Sequence, residues 1–410
     1  MTSRERILAA WDGRAVDHIP LTTWCFGFTA PAHLRWERNG RQIKHWYSMR
    51  LEHIHTLPNP WSLEDDFCRV LAWRSLGVDD VLDVSVPWSV HPEVTWTDGT
   101  IAPSAQGECP VMTRNYRTPA GPLRHAVRKT GENPGEGWVT QPSHVPLIED
   151  YNIPRAVEHA VSSPRDVPAV RYLYAPPDDA ARSWFAERMD RVRAFAQKHG
   201  APVQAWSAFG MDAAFWLAGT EGAIMMAMEE PEAFGALIDT IAEADLARTE
   251  LAASTAGVDM VVQRGWYSST DFWSPRLFEQ FVYPHTRELA AAAHRHGKEF
   301  GYVMTTGVET LGPRLADAGV DVLYFVDPVQ DGLSVARARQ LFGDRMTIVG
   351  GTNALTLASG DRVRIQEEVK RAIEQSQPGN RFILHPVDAI FPDTPWEGVQ
   401  AMIEAWEECR

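Results

Sequence analysis

The amino-acid sequence predicts an α/β fold of the (β/α)8 TIM-barrel type, with N-terminal capping helices and a β-hairpin insertion. Three observations carry this expectation: a plain alternation of strand and helix between Lys298 and Asn353, strands that are apolar on both faces, and a length of 410 residues. Strands without polar alternation belong to a parallel sheet covered on both sides, and at this length a closed barrel is the leading arrangement. Catalytic groups then belong at the carboxyl ends of the strands.

The clearest unit begins with the apolar run Glu299 to Met304, which stops at Thr305-Thr306-Gly307. Val308, Leu311, Leu315 and Ala318 follow on one helical face, and Gly319 suits a left-handed cap. Val320 to Val326 reads as the next strand, closed by Asp327-Pro328; Ser334 to Phe342 is a second helix and Met346 to Gly351 a third strand.

Ahead of this unit, Ser3 is read as the N-cap of a helix carrying Ile7, Leu8 and Trp11, and His18 to Trp24 as a first strand. Phe26 and Phe28 flank Gly27 just beyond it. Trp36, His45, Trp46, Tyr47, His53, His55 and Trp61 show helical spacing in parts, and surface or core positions are preferred over metal binding for these histidines. Val81 to Val86 is the second strand, ending at Pro87-Trp88. Residues 91–140 read as the hairpin insertion, with turn signals at Thr97-Asp98-Gly99 and Pro119-Ala120-Gly121 and a loop at Glu132 to Gly137. Arg114, Arg124, His125 and Arg128 in it could face an anion, although a solvated hairpin face is the preferred reading.

Pro164 to Pro177 looks like a connection, Asp179 to His199 a helix, and Pro202 to Phe209 a strand. Helices are expected over Asp212 to Met228 and Pro231 to Ala256, with Met225, Met226 and Met228 in the core. Val258 to Trp266 is the next strand, with Gln263 and Arg264 towards its end, followed by a polar and aromatic loop (Tyr267 to Pro275) and one long helix from Leu277 to His296. Arg381 to His385 is the last strand, and a closing helix begins at Trp396. Residues 1–410 are expected to form one elaborated barrel domain rather than two domains.

A formal charge of −15 without any basic run argues against nucleic acid or an anionic membrane as partner, which leaves a small-molecule substrate. Cys25, Cys68, Cys109 and Cys409 show no CxxC spacing, so neither a disulfide framework nor a zinc ribbon is expected. No signal-peptide core follows Met1, and no apolar run approaches the roughly 20 residues that span a bilayer. A cytoplasmic protein is expected; a homodimer is an open alternative to a monomer.

Asp388, His385, Tyr302 and Asp327 are the catalytic candidates, because each lies in or at the end of an expected parallel strand. Strand alternation would point His385 and Asp388 to opposite faces unless Pro386 bends the chain, and Asp327 has a competing role as a turn residue. Trp24, Trp88, Trp206 and Phe209, also near strand ends, would make an aromatic pocket for a flat or methylated ligand, with Gln263, Trp266, Tyr267 and Asp271 as further substrate-binding candidates. These residues are expected to converge on one cavity. Walker loop, dinucleotide fingerprint and nucleophile elbow are all missing.

Ser3 to Leu8 with Asp17-His18-Ile19-Pro20, Gly319 to Leu323, Val349 to Asn353, and Phe382-Ile383-Leu384 with Pro392 to Pro395 together resemble the uroporphyrinogen decarboxylase superfamily, which also contains cobalamin-dependent methyltransferases. The resemblance runs in order over nearly the whole chain and implies a (β/α)8 barrel with its site in the carboxyl-end mouth. The decarboxylases of that superfamily carry an arginine-rich N-terminal motif, where this chain has Trp24-Cys25-Phe26-Gly27-Phe28. Their catalytic aspartate falls near Val86 and their late histidine near Asp388. Its methyltransferases hold zinc with a His-x-Cys motif and a later cysteine, where this chain has Val303-Met304-Thr305 and Asp388, so zinc is not expected. The resemblance implies first a methyltransferase or O-demethylase passing a methyl group from a small methylated compound to a corrinoid, on a corrinoid carrier protein, or to tetrahydrofolate. A decarboxylase acting on a small carboxylic acid is the alternative, and a non-catalytic ligand-binding barrel the third reading.

Overall fold

Seven parallel strands form the centre of the structure: β1 (Leu82–Ser85), β2 (Val203–Ala208), β3 (Met260–Gln263), β4 (Glu299–Val303), β5 (Val322–Val326), β6 (Thr347–Asn353) and β7 (Phe382–Val387). This computed structural model describes residues 1–47, 61–105, 107–129, 144–150, 152–342, 345–377 and 380–410. Neighbours in the sheet are neighbours in sequence, as expected when helical crossovers return the chain to the same end of an adjacent strand. All positions of β1, β2, β3 and β5 to β7 are buried, which is why their sequences lack polar alternation.

The two edges of this sheet approach the same stretch of chain. The Thr22 N–H donates to Leu384 O (3.0 Å) and the Leu384 N–H to Pro20 O (2.9 Å), while the Asp79 N–H, just ahead of β1, donates to Leu21 O (2.8 Å). The expected first strand is therefore an extended segment held by isolated bridges, Leu21 to Leu384 and Cys25 to Ile390, rather than a continuous ladder. Pro20 lacks the N–H a ladder would require. The helix Ser3–Trp11 lies at the amino end of the sheet, where Thr347 Oγ1 at the start of β6 donates to Ala10 O (2.8 Å). Its N-cap is Thr2 in a capping box with Glu5, not Ser3. Ser3 is buried and its hydroxyl donates to Asp79 (2.7 Å).

Several expected elements differ. The aromatic stretch after Phe28 forms short strands, Trp36–Arg38, Arg41–Ile43 and His45–Tyr47, the last pairing with Phe26–Thr29; His53 and His55 lie outside the described residues. The insertion is a four-stranded antiparallel sheet, Thr95–Ile101, Val111–Thr118, Gly121–Arg128 and Ala156–Glu158. Thr97-Asp98-Gly99 lies inside its first strand, whereas Pro119-Ala120 makes the tight turn between Thr118 and Gly121. The fourth strand joins from beyond residue 140, and the loop expected at Glu132 to Gly137, with Trp138, lies outside the described residues. His125 is fully buried and Arg114 is paired with Asp98, so neither stands on a solvated cationic face.

Between Pro164 and Pro177 the chain forms a short helix, Val167–Leu173, because Val167, Ala169, Val170 and Leu173 bury one face and Pro168 falls in the first turn, where its missing N–H costs nothing. The helix expected over Asp212 to Met228 is two, Met211–Ala218 and Thr220–Glu229, broken at Gly219 with φ +74°. Met226 is buried, but Met225 and Met228 are exposed. The helix expected over Leu277 to His296 is likewise divided, into Pro275–Phe281 and Tyr283–Arg295, since Pro284 has no N–H to continue the first.

At Gly350, φ is +151° and an added Cβ would sit 2.3 Å from Val326 O in the neighbouring strand. Gly350→Ala is expected to lose roughly 2–6 kcal/mol of stability from strain and overpacking together, read as a lower denaturant midpoint. A midpoint equal to wild type would show that the β5 to β6 approach is looser than described.

Candidate functional site

Because the strands are parallel, residues just past their carboxyl ends gather on one side of the sheet. A cavity of about 450 Å³ opens there, within the range of small-ligand sites. Trp24, Cys25 and Phe26 come from the segment that bridges the sheet edges, and Arg264, Trp266 and Tyr267 follow β3. Asp271 and Phe272 belong to the loop after them, Thr305 and Thr306 follow β4, and Asp388, Ala389 and Phe391 follow β7. Asp150 enters from the connection that leaves the insertion.

Aromatic rings make much of the wall. Trp24 stacks on Trp266 with centroids 5.6 Å apart and planes 12° apart, Trp206 backs Trp24 at 4.9 Å, and Phe26 meets Phe391 edge-on at 6.3 Å. The Arg264 guanidinium lies 4.4 Å from the Trp266 ring centroid and 4.8 Å from that of Trp216. It donates from Nη2 to Asp150 Oδ2 (2.7 Å) and from Nε to Asp212 Oδ2 (3.1 Å). Burial by itself would lower the Arg264 pKa, but the two carboxylates outweigh it and hold the group above its ordinary value. Asp150 Oδ1 also accepts from Trp216 Nε1 (3.0 Å) and Tyr267 OH (3.3 Å), and Asp212 Oδ1 accepts from the Tyr267 N–H (3.0 Å). Burial nonetheless pushes Asp212 up to about 6, with Arg264 opposing it.

Asp388 stands differently. Its Oδ1 is buried without a hydrogen-bond partner, and burial pushes the carboxyl up to about 6 against the lowering effects of the Trp266 side chain and Arg264. Asp271 accepts from the Thr306 hydroxyl (2.5 Å).

Of the residues expected to converge, Trp24, Trp266, Tyr267, Asp271 and Asp388 line this cavity. His385 does not: its Nδ1 meets Thr22 Oγ1 (2.9 Å), its ring stacks on Phe325 at 5.0 Å, and burial lowers its pKa to about 3, which keeps the imidazole neutral. Asp327 accepts from Val329 N–H (2.7 Å) and Asn353 Nδ2 (2.8 Å), the turn role that competed with a catalytic one. Tyr302 is fully buried with its hydroxyl 2.7 Å from Ser268 Oγ, and Trp206 donates to Asp83 (2.8 Å) behind the Trp24 ring. Gln263 packs against Gly210. Phe209 lies under the Arg248 guanidinium at 4.0 Å, and Trp88 lines a separate cavity with Arg114, Trp96 and Tyr116.

Tyr302→Phe is accordingly expected to keep activity within about threefold while losing about 1 kcal/mol of stability with the Ser268 bond. A hundredfold loss of turnover in a stably folded variant would return Tyr302 to the catalytic set.

Asp150, Arg264, Thr305, Thr306 and Phe391 join the cavity without having been singled out as site residues. For Arg264 the signal was present: β3 ends at Gln263, so the residue after it stands at the mouth. Among the described residues, no group of three or more His, Cys, Asp or Glu side chains is placed to hold a metal ion. The soft-ligand set implied for zinc does not fit here: Val303-Met304-Thr305 and Asp388 offer no thiolate, and Cys25 is the one thiol in the described lining.

The family model described as uroporphyrinogen decarboxylase (URO-D) matches residues 147–409. The chain is 28% identical over 188 residues to the methylcobamide:CoM methyltransferase MtaA of Methanosarcina barkeri (strain Fusaro / DSM 804), a match covering 44% of this chain and 50% of that protein. It is 25% identical over 189 residues to the uroporphyrinogen decarboxylase of Dichelobacter nodosus (strain VCS1703A), with the same coverage. The chain thus spans about half the length of the curated relatives it matches. A solved structure, a methyltransferase from Methanosarcina mazei, superposes with a TM-score of 0.59 at 18% identity, covering 100% of this chain and 99% of that one, which is a likeness of fold. Among the described residues, no helix is long and apolar enough to cross a membrane. With the family model matching well over half of its length, the chain belongs to the uroporphyrinogen decarboxylase (URO-D) family.

Proposed function

We propose that the protein is an enzyme that takes a methyl group from a small methylated compound and passes it to a one-carbon carrier, a corrinoid on a carrier protein or a folate. The observation that carries this reading is the composition of the cavity: an aromatic wall of small-ligand size, one carboxyl oxygen left without a partner, and an arginine already engaged by two carboxylates. Two relatives named as methylcobamide:CoM methyltransferases agree with it. In this reading the seven strands and the extended segment at 20–25 form a (β/α)8 barrel, residues 1–410 are one domain, and the insertion follows its second strand.

The aromatic walls exclude water from the methyl group and hold the compound against Asp388, which contacts the group that bears the methyl. Asp150 and Asp212 fix Arg264, and Arg264 in turn fixes the Trp266 ring. A cavity of about 450 Å³ has room for the methylated compound but not for a corrin ring beside it, so the carrier presents its acceptor atom at the mouth. The carrier supplies the nucleophile, and no residue is assigned to hold it.

Decarboxylation of a small acid is the weaker reading. A carboxylate substrate would enter beside Asp150, Asp271 and Asp388, and Arg264 spends its bonds on Asp150 and Asp212. Purified protein supplied with methoxyarenes or methylamines and either carrier is expected to yield the demethylated compound only when the carrier is present. Carbon dioxide release from small carboxylic acids or porphyrinogens, at enzyme rates and without any carrier, would overturn the proposal.

A further inference from the structure

We infer that the methyl donor is a cation, a tertiary or quaternary methylammonium compound, held by the Asp388 and Asp271 carboxylates inside the aromatic wall. This deepens the methyl-transfer reading and rests on it.

The charge of the lining comes first. Asp150, Asp271 and Asp388 face the cavity with a single guanidinium, Arg264, and that guanidinium is shared with a fourth carboxylate, Asp212, directly behind it. Among the described residues the lining is therefore left with an excess of negative charge. An anion would be repelled there, a neutral ether would leave the excess charge uncompensated, and a cation would neutralise it. The Oδ1 of Asp388 is buried without a hydrogen-bond partner.

The shape of the wall agrees. Phe26, Phe391, Phe272, Tyr267 and the tryptophan pair surround the space, and aromatic rings attract a methylated ammonium through their negative faces while packing its methyl groups apolarly. A methylammonium offers no strong hydrogen-bond donors when fully substituted, and this lining provides few acceptors apart from its carboxylates.

The proton balance differs between the two kinds of donor. When a methyl group leaves a quaternary nitrogen, the C–N bond breaks with its electron pair returning to nitrogen, and the carrier's electron pair forms the new bond to carbon. The product is a neutral amine and no proton is required. A methyl ether instead leaves an oxyanion that needs one. Among the hydroxyls at the cavity, Tyr267 donates to Asp150 and Thr306 to Asp271, so a proton for such an oxyanion would have to come from Thr305 or from the Asp388 carboxyl.

Isothermal titration can compare choline and tetramethylammonium with 3,3-dimethyl-1-butanol, the uncharged shape-mimic of choline, and with 1,2-dimethoxybenzene. The ammonium probes are expected to bind at least tenfold more tightly than either neutral compound. Asp388→Asn is expected to weaken choline at least fivefold and to leave the butanol unchanged; Asp271→Asn, at an exposed position, is expected to weaken choline less. Equal or tighter binding of the neutral compounds, or no ammonium binding at millimolar concentration, overturns the inference. If the dimethoxybenzene proves to be the compound demethylated, the cation assignment fails and methyl transfer stands. If choline binds as expected but no carrier ever receives its methyl group, the methyl-transfer reading fails instead.

Discussion

Asp388→Asn is expected to lower kcat/KM about 100-fold or more while the protein stays folded. Asn has the same shape and cannot ionise, so the change removes a charge at the cavity and little else. In the wild type, Asp388 sits among Arg264, Asp150 and Asp327, and its carboxyl ionises at about 6. Activity that needs the carboxylate should therefore rise with pH through about 6, and the Asn variant should lose that inflection. Stability should run the other way. The folded-state pKa is raised above the ordinary 3.8, so the protonated carboxyl favours the fold below that value and the contribution is lost as pH rises through about 6. At pH 8 the Asn variant is expected to be more stable than wild type, with the gap closing towards pH 4, as equilibrium denaturation at both pH values will show. A variant destabilised at pH 8 would mark Asp388 as a structural aspartate.

Arg264→Leu is expected to produce the largest loss of stability at the site, roughly 3–5 kcal/mol. The side chain is 3% exposed and its removal leaves Asp212, which is fully buried, without a counter-charge. Asp212 already ionises at about 6 with Arg264 beside it, and without the guanidinium it would stay protonated to higher pH. The loss should therefore be smaller at pH 5 than at pH 8. Adding Asp212→Leu should recover much of it, because two apolar groups can replace a buried pair far better than one lone charge can be tolerated. A single variant as stable as wild type at pH 8 would mean that water reaches this pair.

The parallel sheet was legible because β4, β5, β6 and β7 are short apolar runs with Thr305-Thr306, Asp327-Pro328, Asn353 and Pro386 at or near their ends. Breaks inside helices were harder to see. The apolar period continues through Gly219 and across Val282, so periodicity alone joins what the backbone divides. The strands at Trp36 to Tyr47 were hidden by aromatic side chains that also fit a helical spacing, and their pairing partner, Phe26–Thr29, is non-local.

At the site, Trp24, Trp266, Tyr267, Asp271 and Asp388 could be found because position past a strand end is a sequence property. Depth is not. Trp206, Tyr302 and His385 are on strands of the same sheet but lie below the cavity floor or behind its wall, which only the curl of the sheet determines. Asp150 had no signal at all: it arrives from the connection after the insertion, and its partner Arg264 is 114 residues away. Arg264 was passed over for its neighbour Gln263, although Gln263 turns towards Gly210 and leaves the next residue at the mouth.

The most direct test of methyl transfer at this cavity is to follow a ¹³C-labelled methyl group by NMR, with wild-type protein and Asp388→Asn side by side. Each labelled donor consumed is expected to yield one labelled methyl on the carrier and one demethylated product, and the variant is expected to lose both signals together. Label that stays on the donor with every carrier, or equal transfer by the Asn variant, would contradict methyl transfer at this cavity.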